Sequence, residues 1–127
     1  MLFAVGCSRS PSASAPMKLV DAAGKHVPQE KAEISKGPAH CDWTSLTFVF
    51  IDRREYVADP QRKLPAGALK GEYADRIPVP SDARDTGYHV GDVHLYEAAD
   101  RQAVYLLSAK KGMAQRLSAV TQSVGCD

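Results

Sequence analysis

The 127-residue chain has a formal charge of +1, with 44% hydrophobic and 24% charged residues. That length suits one domain with one core, burying roughly two-thirds of the unfolded chain's surface. The near-neutral balance gives no sign of an electrostatic search for nucleic acid or an acidic membrane, and eight prolines with nine glycines favour short segments joined by turns.

The chain begins with a short apolar run at residues 2–5 that ends in Gly6-Cys7, followed by a small, polar, proline-punctuated stretch, Ser8-Arg9-Ser10-Pro11-Ser12-Ala13-Ser14-Ala15-Pro16. That order resembles the end of a bacterial lipoprotein signal, in which a small residue precedes a cysteine that is lipidated and becomes the first mature residue. Ala4 and Val5 are permissible neighbours of Cys7, although the favoured leucine three places before the cysteine is missing. A whole export signal needs a basic start and about 7 to 15 apolar residues, so the rest of it is expected upstream of Met1. The competing reading is a disordered amino terminus with an incidental or buried Cys7. A Ser/Ala/Pro tether buries too little apolar area to offset its ordering entropy under either reading. Residues 1–16 are therefore expected to be signal remnant and tether, and 17–127 one β-rich domain. No segment approaches the ~18 apolar residues of a bilayer span, so membrane contact is expected only through lipid at Cys7.

With Cys7 assigned to lipid, Cys41 and Cys126 remain as an even pair, which in an exported protein reads as a disulfide. Closing such a loop contributes about 4–5 kcal/mol in the chain-entropy description. Two inert buried thiols or one reactive cysteine are the alternatives. Clustered metal ligands and a Cys-x-x-Cys pair are both lacking.

Leu19-Val20 and Val27, around Ala23-Gly24, suggest a short strand and turn leading into the domain. Residues 30–34 extend as helix or strand until Lys36-Gly37-Pro38 punctuates the chain. The clearest strand covers residues 45–51, where Leu46, Phe48 and Phe50 alternate with Thr47, Val49 and Ile51, types suited to a pleated surface buried on both sides. Asp52-Arg53-Arg54 reads as a charged turn, and Glu55-Tyr56-Val57 as the return arm of a hairpin before Asp59-Pro60 breaks it. A Pro-, Gly- and base-rich loop follows to Lys70, and Gly71-Glu72-Tyr73-Ala74 is a candidate extended piece. Ile77-Pro78-Val79-Pro80 is confined to an edge or a covering loop, because each proline removes a ladder donor. Ser81-Asp82-Ala83-Arg84-Asp85 predicts one helical turn capped by Ser81 and stopped at Thr86-Gly87. Residues 90–96 and 103–107 predict a second hairpin, and 113–120 a further strand, with a short helix as the alternative. The fold class expected is mainly β, with α+β as the alternative: a small antiparallel sheet or barrel with short helical turns and one disulfide.

Candidate chemistry is sparse. His26, His40, His89 and His94 make no recognised metal spacing, and His89 and His94, at an odd separation of five, are expected to alternate to opposite sides and not to share a strand face. No Gly-x-Ser-x-Gly elbow and no phosphate loop is found, and Asp75, Asp82 and Asp85 lack the frame of a calcium loop. No metal and no cofactor are expected. Trp43, two residues after Cys41, faces the same side on an extended chain and reads either as packing over a disulfide or as a binding anchor. Arg53, Arg54, Arg62, Lys63 and Lys70 make a basic region, read as a solvated loop or as a site for an anionic envelope partner.

The motifs Gly37-Pro38-Ala39-His40-Cys41-Asp42-Trp43, Thr47-Phe48, Tyr56-Val57-Ala58-Asp59-Pro60, residues 77–88, Leu95-Tyr96, Ala103-Val104-Tyr105 and Gly125-Cys126 resemble a group of uncharacterised exported proteins and lipoproteins of actinomycete bacteria. The similarity covers most of residues 34–126. This chain departs from the group at Tyr96 and at Arg116-Leu117, where tryptophans are frequent. The resemblance implies export and paired cysteines and supplies no catalytic residue. The expected function is thus that of an exported, lipid-anchored binding or interaction module of the cell envelope, with Trp43, Tyr56, Tyr88 and His40 as candidate contact residues. An envelope component or a protein is the expected partner. The alternatives are a small hydrolase using His40 or His89 with a nearby carboxylate, and a purely structural envelope protein.

Overall fold

The computed structural model describes residues 18–36, 47–59, 64, 67–70 and 76–120. Within them lie β1 (Ala32–Lys36), β2 (Thr47–Ile51), β3 (Arg54–Ala58), β4 (Arg84–Val90), β5 (Val93–Glu97), β6 (Ala103–Ser108) and β7 (Ala114–Ala119), and no helix. The strands form one antiparallel sheet in the order β1-β2-β3-β7-β6-β5-β4. The mainly β expectation holds, as do both hairpins and the strand reading of the last segment. The helical turn expected at residues 81–85 is not formed. Its capping signal is overridden because Arg84 and Asp85 pair with Glu97 and Tyr96, drawing the backbone into β4.

Local chemistry sets the turns. The connection between β2 and β3 is two residues long, and both hold positive φ, +48° at Asp52 and +69° at Arg53. Positive φ at both positions characterises the hairpin turn whose twist matches its flanking strands. Between β4 and β5, Gly91 takes φ +58° at the first turn position, which glycine fills without a Cβ penalty.

The sheet curls so that its two edge strands border one interior. Ile34 of β1, Val49 and Ile51 of β2, Tyr56 and Ala58 of β3, Leu117 of β7, Val104 of β6 and Leu95 of β5 share a buried cluster, against which Tyr88 and Val90 of β4 pack. Leu19 lies in the same cluster, 2% exposed. The chain around it lies along the β4 edge. Val20 exchanges backbone hydrogen bonds with His89 at 2.8 and 2.9 Å, and Val27 N–H donates to Leu19 O at 2.9 Å. The Asp21 carboxylate accepts from the N–H groups of Ala23 and Lys25, at 2.9 and 3.0 Å, and pins the intervening turn. These backbone N–H bonds, chiefly that from Lys25, hold its pKa below the ordinary carboxylate value.

Strand pairing puts the remaining apolar side chains on the convex face. Phe48 and Val57 are covered by Leu64, Leu69 and Val120, while Ala103, Tyr105 and Ala114 are covered by Ile77 and Val79. The proline-rich segment therefore covers the sheet as expected, with Ile77 also bridged to Ala114. Among the described residues no helix is long and apolar enough to cross a membrane.

Candidate functional site

The two ends of the curled sheet differ in chemistry. At the end formed by the β2–β3 and β5–β6 turns, Glu97 is almost wholly enclosed, with a side chain 3% exposed. Its carboxylate accepts from Arg84 through Oε1 and from Arg101 Nε at 3.4 Å through Oε2. Arg101 also lies 3.9 Å from Asp52 Oδ2, and Tyr56 O–H donates to the Arg101 carbonyl at 3.1 Å. A buried carboxylate needs such partners, because desolvation without them costs more than folding can spare. The bond to Glu97 raises the Arg84 pKa above its usual value. Burial first, and then the Glu97 charge, push the Tyr56 phenol up. This end is a polar clasp that joins turns from opposite halves of the sheet.

The other end holds a cleft of about 270 Å³. Ile34, Val90, Val93 and Leu106 supply apolar wall from four strands, and Arg76 and Lys111 bring cationic groups to it. Thr47, Ser108 and Gln115 add hydrogen-bonding groups. An apolar wall with a few polar groups is the usual make-up of a ligand site, although this volume lies just below the common range of about 300–1,000 Å³. Lys36 and Thr47 are register partners at this end.

Of the residues singled out in the sequence, Cys7, His40, Cys41, Trp43 and Cys126 lie outside the described residues, as do Arg62, Lys63 and Asp75. Tyr56 is 0% exposed and belongs to the interior cluster, so it presents no surface to a partner. Its register opposite Val49 and Ala119, on the concave face, buries it. Tyr88 is half-buried and packs against the same interior. Arg53, Arg54 and Lys70 do converge, lining a shallow groove of about 250 Å³ beside Glu55 and Gln102. The expectation that His89 and His94 face opposite sides is overturned. A turn separates them, and they stand opposite one another on β4 and β5 with ring centroids 5.3 Å apart. Among the described residues no group of three or more His, Cys, Asp or Glu is placed to hold a metal ion.

Sequence reasoning missed the cleft, because its walls come from strands that only long-range register brings together. It also missed the histidine pair, for which the glycine turn between them was the available signal. Comparison of the chain with protein-family models, with curated proteins and with solved structures finds no significant match.

Proposed function

We propose that this protein is an exported β domain, anchored through lipid at Cys7 and stapled by a Cys41–Cys126 disulfide, that serves the cell envelope as a binding module. The observation that carries the binding role is the cleft walled by Ile34, Val90, Val93 and Leu106, with Arg76 and Lys111 beside it. Apolar area gives such a site its affinity, and the two cations favour a partner carrying negative charge. Trp43, as an aromatic anchor, and His40 are the contact residues of this reading.

The export reading is supported by Gly6-Cys7 and the tether behind it, and by the resemblance to actinomycete exported lipoproteins. Chain reach supports the disulfide. Val120, six residues before Cys126, packs in the cluster of Phe48, which follows Cys41 by seven residues. Spans of this length, at roughly 3.3–3.6 Å per residue, allow the two cysteines to meet.

Val93→Asp and Lys111→Glu test the cleft. The full-length protein is expected to bind an envelope fraction from its own cells, and each substitution to weaken that binding at least tenfold while the far-ultraviolet circular dichroism is unchanged. Equal binding by both folded variants and the unaltered chain would remove the cleft from the proposal.

A further inference from the structure

His89 and His94 are direct register partners across the β4–β5 hairpin. The backbone N–H and C=O of His89 are both engaged by Val20, on the side away from β5. In an antiparallel ladder that makes the histidines a non-hydrogen-bonded pair, the type with the closer Cα approach, about 4.5 Å, and converging side chains. The two-residue turn led by Gly91 fixes the register, so neither ring can slide past the other without breaking the hairpin.

The two rings are stacked, with centroids 5.3 Å apart and planes inclined by 24°, and both residues are half-buried. Their lateral neighbours are apolar, Val20 beside His89 and Leu107 beside His94. A neutral imidazole has one ring nitrogen with a free lone pair, which lies in the ring plane, so the stacked pair brings two nitrogen donors to one point when the rings turn about their Cβ–Cγ bonds. Two imidazoles bound to one tetrahedral ion at the usual metal–nitrogen distance of about 2.0–2.1 Å have ring centres roughly 5 Å apart. The observed centroid separation is close to that spacing, so turning the rings, with no backbone shift, completes the chelate.

We propose that His89 and His94 form a two-point chelate for a divalent transition-metal ion of the Cu2+, Ni2+ or Zn2+ class. Nitrogen donors select these ions over Mg2+ and Ca2+, which prefer oxygen, and the affinity order places Cu2+ first. With two protein ligands, water or a small external ligand completes the coordination shell. The ion also ties edge strand β4 to β5 just past the register shift between Asp85 and His89, where the ladder is interrupted. Binding to the folded chain therefore raises its thermal stability.

The test is titration of the full-length protein with Cu2+ and with Zn2+, alongside His89→Phe and His94→Phe, which retain an aromatic ring and lack the donor. Each substitution is expected to weaken Cu2+ binding at least tenfold and to abolish the rise in melting temperature that Zn2+ gives the unaltered protein. Nitrogen-15 imidazole spectra of the unaltered chain provide a readout that does not depend on the variants folding, and Zn2+ is expected to shift the ring signals of His89 and His94 together. Unchanged isotherms in both folded variants, or Zn2+ shifts confined to His26 or His40, would overturn the proposal.

Discussion

Tyr56 and Glu97 show how single side chains close one end of the sheet. The Tyr56 hydroxyl holds the carbonyl of Arg101, whose own φ is +60°, an uncommon value for a residue other than glycine. Tyr56→Phe removes that bond inside the core and is expected to cost about 0.5–1.5 kcal/mol in urea unfolding. The raised phenol pKa adds a pH signature. Folded Tyr56 holds its proton more tightly than the unfolded chain does, so its contribution is fully present below the ordinary tyrosine pKa near 10.0 and is lost as pH rises through the higher folded value. Stability should decline above about pH 10 in the unaltered protein, and less steeply in Tyr56→Phe. Arg84→Ala leaves the enclosed Glu97 carboxylate with Arg101 alone, and should lower unfolding free energy by about 1–3 kcal/mol. A loss below about 0.3 kcal/mol would show that Arg101 alone satisfies the carboxylate.

At the level of elements, the turns test the account. Arg53 holds φ +69° in a position that glycine fills without strain, so Arg53→Gly should raise the unfolding midpoint by about 1 kcal/mol equivalent with an unchanged denaturant slope. Gly87 is the reverse case. It sits at φ +81° within the β4 irregularity, and an added Cβ would meet only the Ala22 methyl, at an ordinary 3.8 Å. Gly87→Ala should therefore cost only the backbone penalty, about 1–2 kcal/mol. The strongest strands were legible because their evidence is local: residues 47–51 alternate suitable side chains, and the 93–97 and 103–108 strands flank an evident turn. Residues 81–85 misled because a capping serine and nearby aspartates favour a helical turn only while Arg84 has no strand partner. The histidine pair was misread for a related reason, since five positions along one strand and five around a hairpin place side chains differently.

Across the whole molecule, a polar clasp closes one end of a curled sheet and an apolar cleft marks the other. The pairing of β3 with β7, over some sixty residues, joins the two halves, and no local pattern announces it. Val90, Val93 and Leu106 each read in the sequence as ordinary strand residues, Ile34 as helix or strand, and only that topology assembles them into one wall. The proposed Cys41–Cys126 bridge would constrain the chain between those cysteines, and removing it by Cys41→Ser with Cys126→Ser should lower stability by about 4–5 kcal/mol. The most direct measurement is the intact mass of the protein isolated from its own cells under thiol alkylation, before and after reduction. The account predicts a mature chain that starts at a lipid-modified Cys7, takes up no alkyl group at Cys41 or Cys126 until it is reduced, and then takes up two. An unlipidated chain retaining Gly6, with both cysteines alkylated at once, would contradict it.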